Sequence, residues 1–288
     1  MRRGEGPHGE GGDRGAGGRG GGARRRDGGT PVSGPRTPDG IRTRLIFALD
    51  VERLDEAERL VDLLAPEIAV FKVGKQLFLH SGPEVVRMIH RRGREVFLDL
   101  KFHDIPHTVA KAGVEAARLG VRFFDLHASG SLEMMERTAA EVARVCRREG
   151  LRRPRILAVT VLTSLGKRDL KLVGVADEVD SQVVRLARLA HRAGMDGVVA
   201  SPLEIAQIRK KCGPSFLIVT PGVRPPSAEK ADQKRVMAPG EAMHAGADYL
   251  VIGRPVRDAP DPLATAREIV ADMARGFLTA RARSGARA

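Results

Sequence analysis

From Leu45 onward, short apolar runs alternate with longer amphipathic stretches, and this alternation constrains the fold more than any other feature. The runs span 45–49, 68–73, 96–100, 123–126, 156–162, 197–200, 216–219 and 249–252. Each is four to seven residues long, the length and character of strands buried on both faces. Helical patterns lie between them. Leu54, Ala57, Leu60, Val61 and Leu64 share one face at helical spacing. Others cover 83–92, 108–119, 131–148, 179–192, 202–211, 238–245 and 262–278, with Pro83 and Pro202 suited to helix starts. Eight strands alternating with eight helices in about 250 residues predict an α/β chain folded as a single (β/α)8 TIM barrel. A doubly wound sheet would need a glycine-rich first turn, and the first run ends instead in Ala48-Leu49-Asp50-Val51-Glu52.

Residues 1–40 stand outside the pattern. They hold 15 of the 33 glycines, four prolines and almost no apolar side chains, too little surface to offset the entropy of ordering. The expected organisation is a disordered Gly/Arg-rich tail over 1–41, a barrel over 42–278 and a basic tail over 279–288. A net charge of +13 raises nucleic acid as a partner. Yet residues 1–40 carry eight Arg against five acidic residues, and elsewhere Arg is interspersed with Glu and Asp, as in RRGREV. That distribution reads as a solvated surface, and nucleic acid is not expected as a partner. With no Trp, one Tyr and nine Phe, few rings are available to stack bases. No apolar run approaches the roughly 18 residues of a membrane span, and no apolar core of a secretory signal follows MRRGEGPHGE. The isolated Cys146 and Cys212 lack disulfide or metal-ligand spacing and fit a reducing cytoplasm.

In a barrel, chemistry sits at the C-terminal strand ends. Those ends carry Asp50, Lys72, Asp99 with Lys101 and Asp104, His127, Thr163, Ser201, Arg224, and Gly253 with Arg254. The chain has 39 Arg and 10 Lys, so a base kept for solubility would be Arg about four times in five. The second and third runs nonetheless end in Lys72 and Lys101, and lysine, unlike arginine, can give up a proton. Asp99 and Lys101 are two apart and so point to one strand face. Inside a barrel mouth such a pair needs partners, and Lys72 and Asp104 are the natural ones. On spacing alone, a buried ion-pair network without chemistry stays open as an alternative. The loops after the seventh and eighth strands supply Gly222, Arg224 and Gln233, then Gly253-Arg254-Pro255. Glycine lets the main chain approach a phosphate, and an arginine fork matches its oxygens. The stretch 223–236 reads as a mobile lid. His103 and His107 flank Asp104, but Pro106 interrupts the helix that would align them, so no metal site is expected.

The same segments carry a family likeness. ALD at 48–50, FKVG at 71–74, DLKFHDIPHT at 99–108, VTVLTS at 159–164, TPGVRP at 220–225, DQKR at 232–235 and YLVIGRP at 249–255 follow one another in family order. Together they resemble the orotidine 5′-phosphate decarboxylase family. His107 departs from it, since the family often carries Asn there. The resemblance implies a cytoplasmic barrel enzyme, without metal or organic cofactor. Its reaction would convert orotidine 5′-monophosphate to uridine 5′-monophosphate and carbon dioxide, the last step of de novo pyrimidine synthesis. It implies Lys101 as proton donor, with Asp99 beside the departing carboxylate holding Lys101 charged. Asp50 and Lys72 would hold the ribose hydroxyls and Thr163 the pyrimidine edge. Arg224, Gln233, Gly253 and Arg254 would bind the phosphate, and Thr108 joins the substrate-binding set. A homodimer is implied as well, with Asp104 of each chain meeting the ribose in its partner's site.

Two rivals follow from the same residues. Magnesium-dependent sugar-phosphate lyases and aldolases of the wider superfamily share the Asp-x-Lys-x-x-Asp spacing of Asp99, Lys101 and Asp104. They need an acid where Lys72 stands, and an ammonium there repels a divalent cation. In a non-enzymatic reading the tail binds RNA and the barrel is a scaffold, a contact that would be weak and salt-sensitive.

Overall fold

A computed structural model describes residues 40–224 and 237–285 of the chain, with side chains described as far as Ala280. Eight parallel strands close into one barrel in sequence order. They are β1 (Leu45–Ala48), β2 (Val70–Gly74), β3 (Glu95–Phe102), β4 (Phe123–His127), β5 (Arg155–Val159), β6 (Gly197–Val199), β7 (Leu217–Thr220) and β8 (Tyr249–Ile252). Closure sets Leu45, Ile46 and Phe47 of β1 beside Leu250, Val251 and Ile252 of β8. The helices are α1 (Leu54–Leu64), α2 (Lys75–Ser81), α3 (Glu84–Arg91), α4 (Pro106–Arg118), α5 (Leu132–Glu149), α6 (Lys167–Leu172), α7 (Val179–Arg192), α8 (Ile205–Cys212), α9 (Pro239–Ala245), α10 (Arg254–Arg257) and α11 (Pro262–Gly285).

The predicted TIM barrel is the observed fold, and each apolar run overlaps one strand. Sequence reasoning lacked α2, α6 and α10, which are four to seven residues long, too short to display a helical period. The expected bounds of 42–278 are crossed at both ends. Ile41 is fully buried in the outer core, and α11 continues to Gly285. Residues 1–39, most of the expected tail, lie outside the described residues.

The pleat sorts each strand's side chains between two cores. In β1, Leu45 and Phe47 join the layer beneath the helices, while Ile46 and Ala48 face the barrel interior. Val70, Phe97, Phe123, Leu157, Val219, Tyr249 and Val251 fill that interior with Ile46. Phe123 packs edge-on against Phe97 at 6.0 Å and against Tyr249 at 5.1 Å, pairs worth about 0.5–1.5 kcal/mol each beyond their burial. At the N-terminal end, Arg122 pairs with Glu95 and donates to the Tyr249 hydroxyl at 2.9 Å. These three side chains sit at the N-terminal mouth of the interior, at the end away from the C-terminal strand ends.

On the outside, arginines pair with neighbouring acids, as Arg118 does with Glu115 and Glu149 and Arg144 with Glu141. Exposed pairs of this kind are worth about 0–1 kcal/mol each. Among the described residues no helix is long and apolar enough to cross a membrane.

Candidate active site

Two residues beyond the apolar layer, the inward side chains become charged. Lys72 follows Val70 on β2, and Asp99 follows Phe97 on β3. Lys72 Nζ lies 3.0 Å from Asp50 Oδ1 and 3.1 Å from Asp99 Oδ2. Lys101 Nζ pairs with the other oxygen of Asp99. The result is a row of alternating sign, Asp50–Lys72–Asp99–Lys101. Lys72 and Asp99 are buried, Lys101 is half-buried and Asp50 is exposed. Burial alone would lower the Lys72 pKa, but the carboxylates of Asp99 and Asp50 outweigh it and raise the pKa. Burial alone would raise the Asp99 pKa. The Lys72 ammonium, then Asp125 and Lys101, outweigh it and hold Asp99 below the usual carboxylate range. Each inner ion has two opposite partners, the condition under which buried charge is tolerated.

Plain strand alternation, as the spacing predicted, is not what brings Lys101 to Asp99. The β3–β4 ladder is regular through Phe97–Phe123 and Leu98–Phe124, then resumes only at Phe102–Leu126. Asp99, Leu100 and Lys101 therefore stand opposite the single residue Asp125, a bulge that re-aims side chains. Lys101 has φ +52°, a left-handed conformation costing a non-glycine residue about 1–2 kcal/mol. Its amide, lacking a ladder partner, donates to Asp125 Oδ1 at 2.8 Å.

Asp125 is fully buried, and sequence reasoning passed over it for His127 on the same strand. The signal was present: Val70-x-Lys72, Phe97-x-Asp99 and Phe123-x-Asp125 repeat one pattern on three successive strands. Burial, and then the Asp99 carboxylate, push the Asp125 carboxyl well above its ordinary pKa and favour its neutral form. His127 is pushed down to about 4, by burial first and then by His103 and Lys101. Its imidazole is therefore neutral at pH 7.

Above the charged row, one cleft gathers Asp50, Lys72, Asp99, Lys101, Thr163, Arg224, Gly253 and Arg254. Gly253 is there for close approach, since a Cβ would stand 3.2 Å from the Ala48 Cβ. Gly222, on the same rim, has φ +77°, which glycine adopts without strain. Arg257 donates to the Asp50 carbonyl at 2.5 Å and ties the end of β1 to the turn after β8. It reads in the sequence as one more surface arginine and was not singled out.

Two expected residues, Asp104 and Thr108, are not in the cleft, and a third is not described. Asp104 is exposed, its Oδ1 accepting the Ile105 amide at 2.6 Å, and so does not complete the Asp99–Lys101 pair of its own chain. Thr108 is exposed on the first turn of α4. Gln233 lies outside the described residues, as does the expected lid beyond Arg224. The residues flanking that stretch are joined, with Val223 bridged to Met237 and the Arg224 amide donating to the Met237 carbonyl at 3.1 Å. Among the described residues no three His, Cys, Asp or Glu side chains group to hold a metal ion. Between Asp50 and Asp99, the place a divalent cation would take holds the Lys72 ammonium.

Such a cleft can seat an anionic, phosphorylated small molecule with an ammonium at its reacting end. A family model described as "Orotidine 5'-phosphate decarboxylase / HUMPS family" matches residues 43–269. The chain is 54% identical over 240 residues to the orotidine 5'-phosphate decarboxylase of Geotalea daltonii, covering 83% of this chain and 100% of that one. It is 56% identical over 239 residues to the enzyme of the same name from Pelobacter propionicus, covering 83% and 98%. Among solved structures, orotidine 5'-phosphate decarboxylase from Lactobacillus acidophilus superposes with a TM-score of 0.71 at 32% identity, over 80% of this chain and 99% of that one.

Proposed function

The chain belongs to the orotidine 5′-phosphate decarboxylase / HUMPS family, and we infer that it converts orotidine 5′-monophosphate to uridine 5′-monophosphate and carbon dioxide. This is the last step of de novo pyrimidine synthesis, and the named relatives support it. Within the chain, the observation that carries the reading is the Asp50–Lys72–Asp99–Lys101 row beneath a rim of Arg224 and Gly253-Arg254.

The chemistry follows from that row. Cleavage of the bond between C6 and the carboxylate leaves its electron pair on C6 as carbon dioxide departs. The Lys101 ammonium stabilises the pair and then transfers a proton to C6, and the neutral lysine recovers its proton from water. Charge that exists mainly in the transition state is met by a group already in place, which raises kcat rather than affinity alone. Asp99 anchors the ammonium and borders the departing carboxylate. Asp50 and Lys72 take the ribose hydroxyls, Thr163 the pyrimidine edge, and Arg224, Gln233, Gly253 and Arg254 the phosphate.

Asp104 and Thr108 belong, in this reading, to the site of a second copy. Both are exposed on one short stretch, and neighbouring Ile105 leaves 66% of its surface exposed. A two-fold dimer in which each chain donates this loop would cover the apolar side chain and complete both sites. Cys146 and Cys212 are both free, which supports assignment to a reducing cytoplasm.

A spectrophotometric assay of orotidine 5′-monophosphate consumption tests the activity. Turnover is expected, at an unchanged rate in excess chelator. Loss on chelation would favour the magnesium-dependent sugar-phosphate chemistry instead. Replacing Arg254 with Ala should cut kcat/KM for the nucleotide about 10–100-fold, the worth of one charge-assisted hydrogen bond. It should leave decarboxylation of the phosphate-free nucleoside nearly unchanged. An equal loss on both substrates would mean that Arg254 acts through the fold.

A further inference from the structure

We propose that Asp125 is a positioning residue for the decarboxylation, its buried carboxyl fixing the β3 bulge that aims Lys101 at the substrate. The proposal rests on the function inferred above and adds a residue that none of the sequence motifs contains.

The geometry carries it. The bulge removes the ladder partner of the Lys101 amide, and a buried amide without a partner is costly. Asp125 Oδ1 supplies that partner at 2.8 Å from the adjacent strand. The same contact holds Lys101 at φ +52°, where a lysine does not stay unless its surroundings impose it. The direction in which the side chain leaves the backbone is set there, and with it the seat of Nζ against Asp99. Asp125 is fully buried beneath the row, so it acts on substrate only through Lys101 and Asp99.

The ionic state fits the role. Asp125 Oδ2 is sealed from solvent without a hydrogen bond of good geometry, and the strongest charge acting on it is that of Asp99. A second carboxylate there would repel Asp99 and loosen the row. Burial and the nearby Asp99 carboxylate both favour the neutral form of Asp125, which spares the row that repulsion. A neutral carboxyl accepts at one atom and donates at the other, which is also what an amide side chain offers.

The test compares Asp125→Asn with Asp125→Leu in the full-length protein, measuring kcat, KM and thermal midpoint against wild type. The asparagine variant keeps the acceptor for Lys101 and should retain kcat within about tenfold. The leucine variant fills the same space without an acceptor. It should lose at least about 100-fold in kcat, the effect of misplacing a reacting group by about an ångström, with little change in KM. Loss of the acceptor for the Lys101 amide should lower its thermal midpoint modestly, so kcat is compared at a temperature where both variants are folded. A leucine variant with near wild-type kcat would overturn the proposal, and so would an asparagine variant as impaired as the leucine one. Should the leucine variant not fold, Asp125→Ala replaces it in the same comparison. Inactive wild-type protein would instead defeat the functional reading on which the proposal stands.

Discussion

Lys101→Ala is expected to remove at least about 10⁴-fold from kcat, the upper range for losing a single proton-transferring group. The fold should survive the change. Lys101 is half-buried, and its removal leaves Asp99 still paired with Lys72 at 3.1 Å, so no buried carboxylate loses its only partner. Affinity for the product nucleotide, measured by calorimetry, should change far less than turnover, because the phosphate and ribose contacts proposed above fall to other residues of the cleft. Near wild-type turnover in this variant would sink the proton-donor assignment. A parallel loss of nucleotide affinity and thermal midpoint would turn Lys101 into a structural residue.

Asp104→Ala should be as inactive in isolation as a site lacking its ribose contact, and it should recover when mixed with Lys101→Ala. With a site shared between two chains, neither variant should work alone. In a mixed dimer one site inherits both substitutions, while the other combines an intact Lys101 with an intact Asp104 from the opposite chain. Random exchange makes half of all dimers mixed, so about one quarter of sites are restored. The measurement is specific activity after exchange, with the mixed species verified by native mass spectrometry. Activity that stays at the parental level despite confirmed exchange would refute the shared site. Full activity of Asp104→Ala alone would show that the exposed loop has no part in turnover.

The barrel was legible because its strands are buried on both faces and so read as apolar runs whatever the local detail. Ile46, Val70, Phe97 and Phe123 had to be apolar, and their parity carried forward to Ala48, Lys72, Asp99 and Asp125. The motif residues gathered in the cleft could likewise be read from strand ends. What escaped depends on register. A bulge is a relation between two strands, and nothing local in Asp99-Leu100-Lys101 announces that three residues will face one on β4. The left-handed turn at Lys101 and the role of Asp125 follow from that mismatch. Arg257 was hidden for another reason: among 39 arginines, only a contact with the Asp50 carbonyl distinguishes it.

The pairing of β1 with β8 has a consequence for how the protein is made. Asp50 leaves the ribosome early, while the turn that Arg257 ties to it comes some two hundred residues later, about 10–40 s of synthesis at typical rates. During that interval β1 has β2 on one side and nothing on the other, an open edge able to pair with any passing chain. The nascent polypeptide can thus build most of the barrel and still lack a cleft. The ring is closed only once Tyr249–Ile252 has emerged and paired with β1. A truncation ending before β8 should therefore be an aggregating chain rather than a weakened catalyst.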